Sequence, residues 1–224
     1  MSVGQTTKSL AGRAVRPISG PRRPTSATTT ASRSSKGEQT RKAILETAIR
    51  RFGRDGYRQT SVADIARDAG VSGTLAYAYF PNKEALFLAA VDEDAAAIIH
   101  RAIPSSGVLA DEDWQQLVLV TLVSNLEHHP LAHRLLAGLE PEATSRVLHT
   151  PALEGLRKVV AARIGQDQDT GAVRDDIDVD RMANGLVAII LSLLMSVVQL
   201  GSDHVLDFSD DVDTVLRAAF EVRK

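Results

Sequence analysis

The sequence predicts an all-α protein in two unequal parts, and three observations carry that expectation. Apolar residues recur at spacings of three and four from about residue 38 to the C-terminus. No stretch keeps the alternating pattern of a half-buried strand. Gly, Pro, Asp and Asn separate the periodic segments at positions that suit helix starts and stops. The expected organisation is an arm over residues 1–35, a three-helix unit with a helix-turn-helix over 36–83, and a larger helical domain over 84–224.

Composition bounds the class. Apolar residues at 44% and charged residues at 24% are ordinary for a soluble globular chain, and 224 residues suffice for a sizeable core. With no cysteine, disulfides and thiolate metal sites are excluded, which fits a reducing cytoplasm. The N-terminal residues lack the apolar stretch of a signal peptide. The longest apolar run, Leu186 to Leu200, is interrupted by Ser192, Ser196 and Gln199 and falls short of the roughly 18 residues of a span; a buried helix is expected and no membrane partner. Net charge is −2, yet residues 1–37 hold seven bases and no acid, and residues 38–83 hold eight bases against five acids. The front therefore carries +10 and the remaining 141 residues −12, the balance of a polyanion-binding end joined to a part that stays off the polyanion.

Each element has its own signal. Residues 1–35, rich in Ser, Thr, Gly, Pro and Arg, bury too little to offset ordering and are expected to form a disordered basic arm. Order is expected from Ser35, which stands in capping-box spacing to Glu38. Ile44, Leu45, Ala48, Ile49 and Phe52 form the stripe of the first helix, which Gly56 should end in a left-handed conformation. Ser61 and Asp64 cap the second helix, which buries Val62, Ile65, Ala66 and Ala69; Gly70 makes the turn; Ser72 caps the third, to about Tyr79. Asn82 caps a fourth, whose Leu86, Phe87, Ala90, Val91 and Ile98 face the small domain before the helix continues into the next. Further helices are expected over 112–128, 131–139, 141–149, 151–164, 179–200 and 210–222. Gly185, Ala188, Ser192 and Ser196 line the 179–200 helix with small residues, and with Val212, Val215, Leu216, Ala219 and Phe220 behind them the two C-terminal helices suit a homodimer interface.

Two short helices around a glycine turn are what lays a reading helix into the major groove of double-stranded DNA. Arg41, Ile44, Leu45, Ala48, Phe52, Gly56, Thr60, Val62, Ile65, Ala66, Ala69-Gly70-Val71-Ser72, Tyr77, Tyr79-Phe80, Lys83-Glu84 and Leu86 follow the spacing of the TetR family of bacterial transcription regulators, which this stretch resembles. The resemblance implies a homodimeric regulator, usually a repressor, released from a palindromic operator when its larger domain binds a small-molecule effector. It also implies backbone contacts to DNA at Thr60, Ser61, Tyr79 and Lys83. The family commonly has Gly where this chain has Thr74 and a branched apolar residue where it has Ala76.

For base contacts, Ser72, Gly73, Thr74 and Tyr77 occupy the exposed start and middle of the third helix. Between Val71 and Phe80 there is no Arg, Lys, Asn or Gln, so bidentate purine readout is absent there and specificity should lean on apolar contact, water and DNA shape. Arg13, Arg16, Arg22, Arg23 and Arg33 of the arm are candidates for an adjacent minor groove, against a merely solvated tail. Phe80 is expected in the core.

Six of nine aromatics precede residue 90, so an effector pocket among the later helices should be mainly aliphatic, with Trp114, Asn125, His128, His133 and Gln199 as polar or flat contacts. His129 and His133 have metal-ligand spacing, but Pro130 intervenes and no His-Glu-x-x-His motif is present, so no metal is expected. The Asp175, Asp176, Asp178, Asp180 run lacks the glycine and terminal Glu of a calcium loop, and capping explains Asp178 or Asp180 better. No cofactor and no catalytic constellation is expected. The competing readings are an all-α carrier or enzyme with a vestigial helix-turn-helix, and a nonspecific architectural DNA binder.

Overall fold

The computed structural model describes residues 27–103 and 114–221. The chain falls into two compact units, residues 1–37 and 38–224, and all the packing below lies within the second. Ten α-helices and no strand occur among the described residues. They are α1 (Ala27–Gln59), α2 (Val62–Asp68), α3 (Gly73–Tyr79), α4 (Lys83–Ala102), α5 (Trp114–Asn125), α6 (Pro130–Leu136), α7 (Pro141–Val147), α8 (Pro151–Asp169), α9 (Val179–Leu200) and α10 (Ser202–Phe220).

Helix boundaries differ from expectation where breakers are missing or local. α1 begins at Ala27, so Ser35 lies within it rather than capping it; no Gly or Pro stands between Pro24 and Gly37 to stop a helix. The expected 112–128 helix tightens into a 3-10 turn at Leu126–His128 ahead of Pro130. α8 runs on to Asp169, and α10 starts as early as Ser202, directly after Gly201. Asp178 caps α9 as expected, its carboxylate accepting the Arg181 N–H at 3.0 Å. The arm arginines Arg13, Arg16, Arg22 and Arg23 lie outside the described residues.

The helical stripes build two cores. In the first, Ile44, Leu45, Ala48 and Phe52 of α1 meet Val62, Ile65 and Ala66 of α2, Ala76 of α3, and Leu86, Phe87, Ala90 and Val91 of α4. Phe52 and Phe87 meet edge to face at 5.1 Å and 88°, and Tyr57 stands 4.9 Å from Phe87, tying α1 to α4. Ile44, Phe52, Ile65 and Leu86 are fully buried, each worth roughly 1.5–3 kcal/mol of transfer free energy. The second core takes the far half of α4, through Ile98 and Ala102, together with α5, α8, α9 and Phe220 of α10. One residue of the later chain, Leu131 of α6, is fully buried in the first core.

α9 corrects the expectation of a buried helix. Ala183, Leu186, Val187, Ile190 and Leu194 face the core. Gly185, Ala188, Ser192 and Met195 are exposed, so the other face of an apolar helix stands open. Starting at Val179, α9 is long and apolar enough to cross a membrane by length and composition, a test that core helices of soluble proteins also pass.

Candidate nucleic-acid interface

α2 and α3 owe their starts to two serines. The Ser61 hydroxyl accepts the Asp64 N–H at 3.1 Å and donates to the Asp64 carboxylate at 2.7 Å. The Ser72 hydroxyl accepts the Leu75 N–H at 3.1 Å. Between the helices Gly70 turns at φ 69°, a conformation that a side chain resists. Ala76 is fully buried and Phe80 nearly so, pinning one face of α3 to the core. The opposite face presents Thr74, Leu75, Tyr77 and Ala78, with Leu75 40% and Tyr77 52% exposed. Tyr79 is half-buried.

A cross-brace holds α2 in place. Arg51 of α1 donates to Asp68 of α2 at 2.6 Å, a bond that holds the Asp68 carboxyl below the usual carboxylate range. Asp64 is lowered likewise, first by its Ser61 hydrogen bond and then by Arg67. Two cations sit near the end of α3: the Arg41 guanidinium lies 5.5 Å above the Phe80 ring, and the Lys83 ammonium 4.4 Å above Tyr57.

Two of the expected contacts, Thr60 and Lys83, take on internal duties at the break in α1. Gly56 adopts φ 82° and ψ 168°, a region open essentially to glycine and more extended than the left-handed helical turn expected. The break frees backbone groups, and three near it find side-chain partners. The Gly56 carbonyl accepts the Thr60 hydroxyl at 2.8 Å, the Arg58 carbonyl accepts Lys83 at 3.3 Å, and the Tyr57 N–H donates to the Glu140 carboxylate at 3.0 Å. Thr60 is only 2% exposed. Its hydroxyl therefore closes α1 and is not presented to a phosphate, which corrects its expected role. Ser61, Ser72, Thr74 and Tyr77 are exposed, Gly73, Tyr79 and Lys83 are half-buried, and all seven lie on or beside the α2–α3 unit. Sequence reasoning passed over Leu75, because leucine reads as core unless its phase on the helix is known.

The larger domain reaches back to this unit through α6. Gly53 of α1 meets the start of α6 so closely that a Cβ there would stand 2.7 Å from Pro130 Cβ and 3.0 Å from the Leu131 nitrogen. Asp94 of α4 accepts the Ala132 N–H at 2.9 Å and bonds His129 Nδ1 at 2.7 Å, both side chains buried. At the other end of α6, Gln199 of α9 donates to the Leu136 carbonyl at 2.9 Å. Asp92, two residues before Asp94, accepts the Ala152 N–H of α8 at 2.7 Å. Ion pairs of Arg58 with Glu142 and of Arg146 with Glu84 add α7 to the same junction.

The five expected effector contacts do not converge. Trp114 is buried beside a half-open pocket of about 590 Å³ of mixed lining, to which Arg163, Asp167, Arg217, Val173, Leu216 and Phe220 contribute. Asn125 donates to the Thr121 carbonyl of its own helix, His128 and His133 are exposed, and Gln199 caps α6. None of the five lines the half-open aliphatic cavity, about 100 Å³, formed by Val91 and Ile98 of α4, Leu122 of α5, Leu135 of α6, Leu156 of α8 and Ile190 of α9. The mainly aliphatic character expected of a pocket fits this one, but its lining residues have the periodicity of any core and so carry no separate mark in the sequence.

Comparison with known proteins gives a consistent result. The family model described as bacterial regulatory proteins, tetR family, matches residues 44–90. An uncharacterized HTH-type transcriptional regulator of Bacillus subtilis, YuxN, is 49% identical over 47 residues, 21% of this chain and 16% of that protein. A second from the same organism, YdgC, is 25% identical over 172 residues, covering 75% of this chain and 85% of its own length. The crystal structure of the transcriptional regulator FadR from Bacillus subtilis in complex with stearoyl-CoA superposes with a TM-score of 0.59 at 21% identity, covering 80% of this chain and 98% of that one. At that identity the likeness is one of fold.

Proposed function

We propose that the chain, whose residues 44–90 match the model of the tetR family of bacterial regulatory proteins, is a homodimeric transcriptional regulator of that family that represses from a palindromic operator and is released by a small-molecule effector. The observation that carries the reading is the face of α3: Thr74, Leu75, Tyr77 and Ala78 stand exposed on a helix fixed by a serine cap and by Ala76 and Phe80 in the core. Ser61, Tyr79, Lys83 and Arg41 flank it and supply phosphate contacts, which set register, while the α3 face meets the bases. The open face of α9, with Gly185, Ala188 and Ser192, is the surface a second copy covers, together with α10.

The effector reading rests on the aliphatic cavity. Its 100 Å³ is well below the several hundred Å³ of a filled ligand pocket. An effector with an aliphatic chain has to spread the surrounding helices, and α6, which lines the cavity through Leu135 and holds Leu131 in the reading domain, moves with them. Binding then favours a dimer whose reading helices no longer match a spacing of one DNA turn, about 34–36 Å. FadR of Bacillus subtilis and of Thermus thermophilus were solved with stearoyl-CoA and lauroyl-CoA, which makes long acyl-CoA the first effector class to try here.

The test is footprinting of the purified protein on DNA upstream of its own gene and then across its genome, with stearoyl-CoA, lauroyl-CoA and free coenzyme A added in turn. Protection of an inverted repeat, relieved by the acyl-CoAs and not by coenzyme A, is the expected result. If no palindrome is protected, the regulator reading is overturned.

A further inference from the structure

We infer that Leu75 is a specificity-determining residue, reading the C5-methyl groups of thymines in the operator's major groove. The inference rests on the regulator reading above and adds the base chemistry that reading leaves open. α3 has seven residues, and its exposed side chains are those of Thr74, Leu75, Tyr77 and Ala78. None carries an amide or guanidinium group. The polar atoms on this face are the hydroxyls of Thr74 and Tyr77, which cannot make the bidentate pairs that distinguish guanine or adenine.

What the face does offer is apolar carbon. Leu75 is 40% exposed and next to Thr74, whose side chain also ends in a methyl. Its backbone N–H is taken by Ser72, so the start of the helix holds the residue in place without using its side chain. Of the four bases, thymine alone displays a methyl group in the major groove. The occupant of this face is set by charge: Arg41 and Lys83 stand near the C-terminal end of the same helix and attract phosphates. A leucine exposed on a reading helix whose C-terminal end is flanked by phosphate-attracting cations meets base edges, and it gains most against the methyl of thymine.

The experiment uses the full chain. Duplexes are selected from a randomised library, and in the selected sequence each thymine is replaced singly by deoxyuridine, which removes one methyl and nothing else. Binding of wild type and Leu75→Ala is measured across the series. One or two positions per half-site should weaken wild type about three- to fivefold per methyl, and Leu75→Ala should lose that discrimination while its salt slope is unchanged. Since Leu75 lies outside the core, retained thermal unfolding of the variant separates lost readout from lost fold. Wild type that binds its selected duplex but is indifferent to every replacement overturns the inference alone, as does Leu75→Ala that keeps the full penalty. Failure to select any duplex overturns the regulator reading, and this inference with it.

Discussion

The Thr60 hydroxyl donates to the Gly56 carbonyl from a buried position, and Lys83 supplies one N–H to Arg58 while its charge rests over Tyr57. A lysine ammonium carries three donors, so Lys83 keeps capacity for a phosphate that Thr60 lacks. Thr60→Val is expected to cost about 1–2 kcal/mol of stability, read by denaturant unfolding, and to leave the salt slope of DNA binding unchanged. Lys83→Ala should lower that slope by about one. Acid acts on the same unit. Asp64 and Asp68 both titrate below their ordinary range in the folded state, so their contribution is complete above about pH 4 and is lost as pH falls through the folded values. Melting temperature followed downward from pH 5 should therefore drop, and Asp68→Asn should drop less steeply because that contribution is already gone.

Among the elements, α6 is the one held from three sides. Its start is fixed by Asp94 of α4 and its end by Gln199 of α9, and Gly53 lets α1 approach its first residues. The helix has no side-chain cap of its own, since His129 at its N-cap makes no such bond. The cap comes from α4, so α4 and α6 must move together or break a buried bond. Asp94→Ala is expected to destabilise the protein by about 2–3 kcal/mol, and Asp94→Asn, which retains an acceptor for the Ala132 N–H, by less. Gly53→Ala forces α1 and α6 apart, because the clash is with backbone and a proline ring. It should cost about 1–3 kcal/mol and weaken the link between effector and DNA, measured as the ratio of operator affinity with and without acyl-CoA.

For the whole molecule, the open apolar face of α9 is the consequential feature. A single chain that exposes Ala188, Ser192 and Met195 beside a 63%-exposed Leu200 leaves much apolar surface in water. The dimer proposed above covers it. Ala188→Glu should yield a folded monomer in sedimentation equilibrium and lose at least tenfold in affinity for a palindrome, since one reading domain then binds without the other. A variant that stays dimeric would place the interface elsewhere.

Much of the fold could be read from the chain because it rests on local rules. The stripe from Ile44 to Phe52, the serine caps at Ser61 and Ser72, the turn at Gly70 and the Asp178 cap each depend on residues within one or two helical turns, and each appears as expected. The absence of bidentate readers on α3 was equally plain in its residue types. Tertiary structure decided everything that depends on partners far along the chain: that Glu140 takes the Tyr57 N–H, that Leu131 joins the first core, that Gln199 caps α6, and that Leu75 points outward. Helical period gives the angular spacing of side chains but not which side of a seven-residue helix faces the core. Hydrogen bonds across 35 to 83 residues leave no periodic trace in the sequence.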